Sequence, residues 1–222
     1  MTDDLTIIIG ANRGIGLELC KAFRSDGRAL IGTTRTPSTD LEHVVSEVWD
    51  DIDVRADDLE EKLLNRLSGR RIERLILSAG ILESDGLETS SPSAIRRQFE
   101  VNALGALRCA FALHPKVKTH GIIAFITSRM GSISDNTSGG YYGYRISKAA
   151  LNAGAKSLAL DLKPREISVA ILHPGFVKTD MTGGQGLIDA SSSAAMLKEQ
   201  ITAWKIEETG HFKHANGERL PW

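Results

Sequence analysis

Short apolar runs rich in β-branched residues alternate with helical stretches along almost the whole chain, and this order most limits its fold. Leu5 to Ile9 is apolar at nearly every position, the pattern of a parallel strand covered on both faces. Glycines follow at once. Ile15, Leu19, Ala22 and Phe23 then recur at helical spacing, with Gly27 placed to end that helix. Residues 29–34 read as a second strand, and a third short one lies within 44–54. Leu59, Leu63, Leu64 and Leu67 form a helical stripe. Residues 75–79 and 121–127 read as strands, separated by one long helix over about 93–113 that stops before Pro115. A further helix runs to about Leu162 and ends at Pro164, and 167–172 is strand-like again. Residues 194–204 read as helix and 209–213 as a last strand. Buried strands joined by helices of this length imply right-handed crossovers and one parallel sheet. The predicted fold class is therefore α/β: a Rossmann-type doubly wound parallel sheet with helices on both faces, in a single domain over 1–222.

Composition agrees. The chain has 222 residues, 41% hydrophobic and 25% charged, enough for one independent core. A formal net charge of -1 and the lack of long like-charge runs argue against a nucleic-acid or acidic-membrane partner. Cys20 and Cys109 each lie among apolar neighbours in helical stretches and read as buried, reduced thiols. Met1-Thr2-Asp3-Asp4 is acidic where a signal peptide would be basic, and no apolar run approaches the ~20 residues of a membrane span. A cytoplasmic protein is expected. His173, His211 and His214 offer no convincing metal-ligand spacing, so no metal is expected.

Two stretches carry chemistry. The first strand leads into Gly10-Ala11-Asn12-Arg13-Gly14-Ile15-Gly16, spaced G-x-x-x-G-x-G. Glycines there let the backbone turn sharply and approach a ligand, and the helix that follows aims unpaired N–H groups at an anion such as pyrophosphate. The second strand ends in Thr33-Thr34-Arg35, with no acid until Asp40. An acid there favours NAD, whereas Arg35 together with Arg13 suits the 2′-phosphate of NADP. NADP(H) is thus expected over NAD(H). The second stretch is Tyr144-Arg145-Ile146-Ser147-Lys148. Residues four apart share a helix face, so a phenol and an ammonium lie side by side, and the positive charge favours the ionised phenol.

The glycine loop, Asn102, Ser128, Tyr144 and Lys148 occur in the order and at roughly the intervals of the short-chain dehydrogenase/reductase family. The segment 127–133, the Tyr144 helix and the Leu220-Pro221-Trp222 ending resemble its C-factor-like, carbonyl-reductase-related branch. The resemblance implies that Tyr144 is the acid in carbonyl reduction. It implies that Lys148 lowers the tyrosine's pKa and holds the nicotinamide ribose, and that Ser128 hydrogen-bonds the substrate carbonyl. Asn102 would hold a water in a proton relay behind Lys148. Asp53 and Val54 resemble the pair bordering adenine, and Leu77-Ser78-Ala79-Gly80 stands where the family has Asn-Asn-Ala-Gly. The turn Pro174-Gly175-Phe176-Val177-Lys178-Thr179 resembles the one covering the nicotinamide, with the Val177 backbone and Thr179 on its carboxamide.

There are departures. Ile9 stands where the glycine motif usually has Thr, and Leu77 and Ser78 replace two asparagines. Both put the rigidity of the cofactor site in question. Residues 136–140 read as a mobile edge of the substrate pocket, with Arg129, Met130, Ile133 and Met181 as walls. Ala149, Ala150, Ala153, Gly154 and Ala155 make the Tyr144 helix small-sided, which resembles the helix that pairs subunits in this family and implies a homodimer or homotetramer. The expected function is NADP(H)-dependent reduction of a small-molecule carbonyl, or oxidation of a secondary alcohol. The alternative is a C-factor-like signalling protein that binds the cofactor with little turnover.

Overall fold

The computed structural model describes residues 5–222, so the reading of Met1-Thr2-Asp3-Asp4 lies outside the described residues. The elements run β1 (Leu5–Ile9), α1 (Gly14–Arg24), β2 (Ala29–Thr33), α2 (Thr39–Glu42), β3 (Glu47–Trp49), α3 (Leu59–Leu67) and β4 (Ile72–Leu77). They continue with α4 (Pro92–Phe99), α5 (Ala106–Leu113), β5 (Val117–Ile126), α6 (Tyr142–Leu162), β6 (Ser168–His173), β7 (Val177–Lys178), β8 (Ile188–Asp189), α7 (Ala190–Ala203) and β9 (Phe212–His214).

Seven strands form one sheet in the order β3-β2-β1-β4-β5-β6-β9, every neighbouring pair parallel. Successive side chains of a strand point to opposite faces. Ile7 and Ile9 accordingly join a core that includes α3, α5 and α6, while Ile8 joins one with α1 and α7 on the other face. A strand covered twice is buried throughout, as β1 is at all five positions, and four of the five are apolar, Thr6 being the exception. The chain reverses direction across the sheet between β1 and β4, and such a switch opens a crevice at the carboxyl ends of the strands.

The sequence predicts one helix over 93–113, and the structure has two. Between α4 and α5, Glu100–Gly105 widens into a π-helical turn. Two contacts account for it. A Cβ on Gly105 would lie 2.7 Å from Val54 Cγ2, so the glycine lets Val54 press against the turn. Asn102, on the same turn, reaches across to Ile81. Widened turns of this kind favour functional sites.

The cysteines are free and buried, and burial pushes both thiols up to about 12. Within the small-sided α6, Ala155 is core, and Gly154 is filled from the same chain: its Cβ would meet Leu107 Cδ1 at 2.7 Å. Among the described residues no helix is long and apolar enough to cross a membrane, and no group of three or more His, Cys, Asp or Glu side chains could hold a metal.

Candidate active site

The glycine loop leaves β1 at the switch point. Gly10 has φ +82°, and a Cβ there would lie 2.6 Å from Ala79 Cα. A Cβ on Gly16 would lie 2.1 Å from the Gly10 carbonyl oxygen. Both positions therefore exclude any side chain. The hydroxyl lost at Ile9 is replaced from the neighbouring strand, since the Gly10 N–H donates to Thr33 Oγ1 at 3.1 Å and the Ala11 N–H to the Thr33 carbonyl at 2.9 Å. Arg13 is the N-cap of α1, in extended geometry with no side-chain cap, and the first turn carries no acid. Nothing from those side chains competes for the first N–H groups, so this end of α1 fits an anionic group such as a dinucleotide pyrophosphate.

A cleft open to solvent follows the strand ends from this loop. Gly10, Asn12, Arg13, Gly14, Ile15, Gly16, Arg35, Asp53, Val54, Ser78, Ala79, Gly80, Tyr144, Lys148, Pro174 and Thr179 all line it. At one end Arg13 pairs with Asp180 at 3.5 Å, both well exposed. Asp53 is gripped by Arg55, whose Nε and Nη2 donate at 3.1 and 2.7 Å and whose backbone N–H donates at 2.9 Å. That guanidinium holds the Asp53 carboxyl below the usual range. Arg55 and Thr33 also line the cleft, and sequence reasoning gave neither a role. A hydroxyl at the end of the second strand was the available signal for Thr33.

In the middle, Leu77 is a core residue, so its departure from Asn leaves no polar group buried there. Ser78 follows β4, its N–H donating to the Ile9 carbonyl at 2.9 Å. Gly80 leaves room for two side chains: a Cβ on it would lie 3.3 Å from Asn102 Oδ1 and 3.7 Å from Lys148 Nζ.

Ser128, Tyr144 and Lys148 meet at the other end. Ser128 caps a short 3-10 turn, Arg129–Gly131, accepting the Met130 N–H at 3.1 Å. Its hydroxyl also acts on the Tyr144 phenol, favouring the ionised form. The turn lies tight on α6, for a Cβ on Gly131 would sit 2.7 Å from the Lys148 carbonyl carbon. Lys148 Nζ donates to the Ile126 carbonyl at 3.1 Å and stands 5.8 Å from the Tyr144 ring centre.

The resemblance implied a tyrosine made more acidic by Lys148. In the structure burial dominates instead. It pushes the Tyr144 phenol up to about 12, against the opposing influence of the Ser128 hydroxyl, and pushes Lys148 down to about 8. The ammonium is directed at the Ile126 carbonyl, and the phenol stays protonated near neutral pH.

Asn102 clasps the loop after β4. Its Oδ1 accepts the Ile81 N–H at 2.7 Å, and its Nδ2 donates to the Ile81 carbonyl at 2.8 Å and to Ser147 Oγ at 3.0 Å. Ser147 passes its own hydrogen bond to the Tyr144 carbonyl at 2.8 Å. Both amide N–H groups are thus engaged with protein, and only Oδ1 retains a lone pair for the water implied by the resemblance.

Of the expected residues, Asn102, Ser128, Gly175 and Val177 stand outside the cleft lining. Gly175, at φ +94°, packs against Ile188 and His214. The Val177 side chain is buried, and its carbonyl is taken by Thr182 Oγ1 at 2.9 Å. Thr182 also accepts the Thr179 N–H at 3.1 Å, so it ties the turn together, a role no sequence signal marked. His173 is pushed down to about 3 by burial and by His214, whose ring centre is 5.0 Å away. Met181 lines the cleft as expected of a wall, whereas Arg129 pairs with Asp135 and Ile133 faces solvent. The edge over 136–140 is braced, with Arg145 Nε donating to the Gly140 carbonyl at 3.1 Å and the Gly139 N–H to Asn136 Oδ1 at 3.1 Å.

The family model described as short chain dehydrogenase matches residues 4–187. The chain belongs to the short-chain dehydrogenase family. It is 35% identical to the 1-hydroxy-2-glutathionyl-2-methyl-3-butene dehydrogenase of Rhodococcus sp. strain AD45, over 97% of this chain and 98% of that one. It is 41% identical to the C-signal protein of Myxococcus xanthus, over 57% of this chain and 77% of that one. Among solved structures, the carbonyl reductase Sniffer of D. melanogaster superposes with a TM-score of 0.89 at 29% identity, covering 100% of both chains. A carbonyl reductase from Pseudomonas aeruginosa PAO1 in complex with NADP superposes with a TM-score of 0.84 at 31% identity, covering 99% of both. As a short-chain dehydrogenase, the chain has the fold of the carbonyl reductases and the family's oxidoreductase character.

Proposed function

We propose that this chain is an NADP(H)-dependent carbonyl reductase, with Ser128, Tyr144 and Lys148 as its catalytic residues and Asn102 as the clasp that holds them. The observation that carries the reading is the Tyr144 phenol. It is buried and protonated, with the Ser128 hydroxyl acting on it, at one end of a cleft whose other end is the glycine loop. NADPH, when bound, supplies the hydride. Gly10, Gly14 and Gly16 let the backbone close on the pyrophosphate, and the first N–H groups of α1 bind it. Arg13 and Arg35 hold the 2′-phosphate, with Arg55 keeping the Asp53 carboxylate neutralised beside them. Lys148 and Thr179 orient the nicotinamide end.

Negative charge grows on the carbonyl oxygen during reduction. Two hydroxyls, on Ser128 and Tyr144, donate to that oxygen, and the phenol then passes its proton to it. A phenol held protonated is the right starting state for this acid. The Lys148 ammonium, a stronger acid at about 8 than the phenol at about 12 and 5.8 Å from its ring centre, can return a proton to the phenolate and regain one from solvent through the open cleft. The NADP held by the Pseudomonas reductase and the carbonyl-reductase character of Sniffer support the same cofactor and reaction class here.

The likeness to C-signal favours a second reading, a cofactor-binding signalling protein with little turnover. A pure sensor needs the glycine loop but not a hydroxyl pair aimed at a substrate oxygen. A panel of aldehydes, diketones and quinones assayed with NADPH separates the two. Turnover of at least one compound supports the reductase, and NADPH binding without turnover of any supports the sensor.

A further inference from the structure

Helix α6 starts without a cap of its own. Tyr141 stands at its N-cap with φ 51° and ψ 42°, offers no side-chain acceptor, and no acid lies in the first turn. Tyr144 is the third residue of the helix, inside the turn whose N–H groups have no intrahelical partner. The proton donor thus sits on the part of the helix most prone to fray.

Asp85 comes to this end from the loop between β4 and α4. Its backbone carbonyl accepts the Tyr141 N–H at 2.8 Å. Its Oδ2 lies 3.4 Å from the Gly143 N–H, the second helical position, which an N-cap side chain ordinarily serves. Ser90 Oγ donates to the same oxygen at 3.1 Å. The residue is only 8% exposed, and Oδ1 has no hydrogen-bond partner among the described residues. A buried carboxylate with an unpartnered oxygen is destabilising. What compensates it here is the positive end of α6.

The loop that carries Asp85 is itself held in place. Asn102 clasps Ile81, and Gln98 Oε1 accepts the Glu83 N–H at 3.0 Å. Arg97 grips the Glu83 carboxylate at 3.0 and 2.7 Å. Gln98 is fully buried, and a Cβ on Gly143 would lie 2.4 Å from its Nε2. Helix α4, the loop and the start of α6 therefore meet around Gly143, one residue before the phenol.

We propose that Asp85 is a positioning residue for Tyr144: its carbonyl and carboxylate cap the first turn of α6 from another loop and so fix the approach of the phenol to Ser128. The kinetic part rests on the reductase reading, while the structural part does not.

The test compares Asp85→Ala with Asp85→Asn, whose amide oxygen still accepts the Gly143 N–H. In Asp85→Ala, amide hydrogen exchange at residues 143–145 should quicken at least about tenfold, with residues 151–162 within about twofold of the parent. For a carbonyl that the parent reduces, kcat should fall about tenfold or more, while substrate KM and NADPH Kd stay within about threefold. Asp85→Asn should recover kcat to within about threefold of the parent. Parent-like exchange at 143–145, parent-like kcat in Asp85→Ala, or equal damage in both variants would overturn the proposal. Should Asp85→Ala not fold, Asp85→Ser, too short to reach Gly143, takes its place with the same expected and overturning results. If the parent reduces no carbonyl, the reductase reading fails and the exchange rates alone decide Asp85.

Discussion

Lys148 gives a prediction whose size follows from its burial. Its side chain is only 4% exposed, at the wall of the cleft, and its pKa is pushed from 10.5 to about 8. A pKa difference of one is worth about 1.4 kcal/mol, so charging Lys148 is about 3 kcal/mol harder in the folded chain than in the unfolded one. Below about pH 8 both states carry the charge and the fold bears the whole penalty. Between about 8 and 10.5 the unfolded chain holds a proton that the folded chain has lost, so stability rises with pH. Lys148→Met keeps the length and removes the charge. It also removes the hydrogen bond to Ile126, a loss of about 1 kcal/mol.

The difference in unfolding free energy between variant and parent should therefore move by about 2–3 kcal/mol in the parent's favour from about pH 7 to pH 10. Tyr144, raised to about 12 by burial, is present in both proteins, so its own titration drops out of the difference. Urea unfolding of both proteins without cofactor, at about pH 7, 8.5 and 10, reads the difference directly. A constant difference across that range would refute the burial argument.

Arg35→Ala should weaken NADPH binding about tenfold, as expected for a lost charge-assisted contact, and change NADH binding by less than about twofold. Titration by cofactor fluorescence measures both, and equal losses would remove Arg35 from the 2′-phosphate. Thr33→Val leaves the Gly10 N–H without its side-chain acceptor, and should lower stability by about 1–2 kcal/mol in urea and weaken NADPH binding several-fold. An unchanged urea midpoint would show that the hydroxyl does not tie the loop. Phe99, Leu104, Phe111 and Ile146 are all exposed on the helices α4 to α6 and the turn between them, and a homodimer would cover them. Light scattering at micromolar concentration should give twice the chain mass, and a clean monomer would contradict this.

The doubly wound sheet was legible because strands covered on both faces are mostly apolar, and Ile7–Ile9 of β1, Leu75–Leu77 of β4 and Val169–Leu172 of β6 are unbroken apolar runs. The cleft was legible for a similar reason, since Gly10 and Gly16 occupy places where no side chain fits and so mark the sequence. The π turn over 100–105 left no such mark. It depends on Val54 and Ile81, which reach it only in the fold. The same holds for Thr33 standing in for a hydroxyl at position 9, for Thr182 tying the Pro174 turn, and for Asp85 capping a helix 58 positions on. The tyrosine's acidity does not follow from spacing alone. Four residues apart places Lys148 near Tyr144, but the depth at which both are buried decides which form each prefers.

The most direct test of the whole account is Tyr144→Phe, which removes one oxygen from a buried phenol and leaves the glycine loop, Arg35 and Lys148 untouched. With a carbonyl compound that the parent reduces, kcat should fall about a thousandfold, within the range of a missing general acid and oxyanion donor, with NADPH Kd within about twofold. Parent-like reduction by Tyr144→Phe would contradict it.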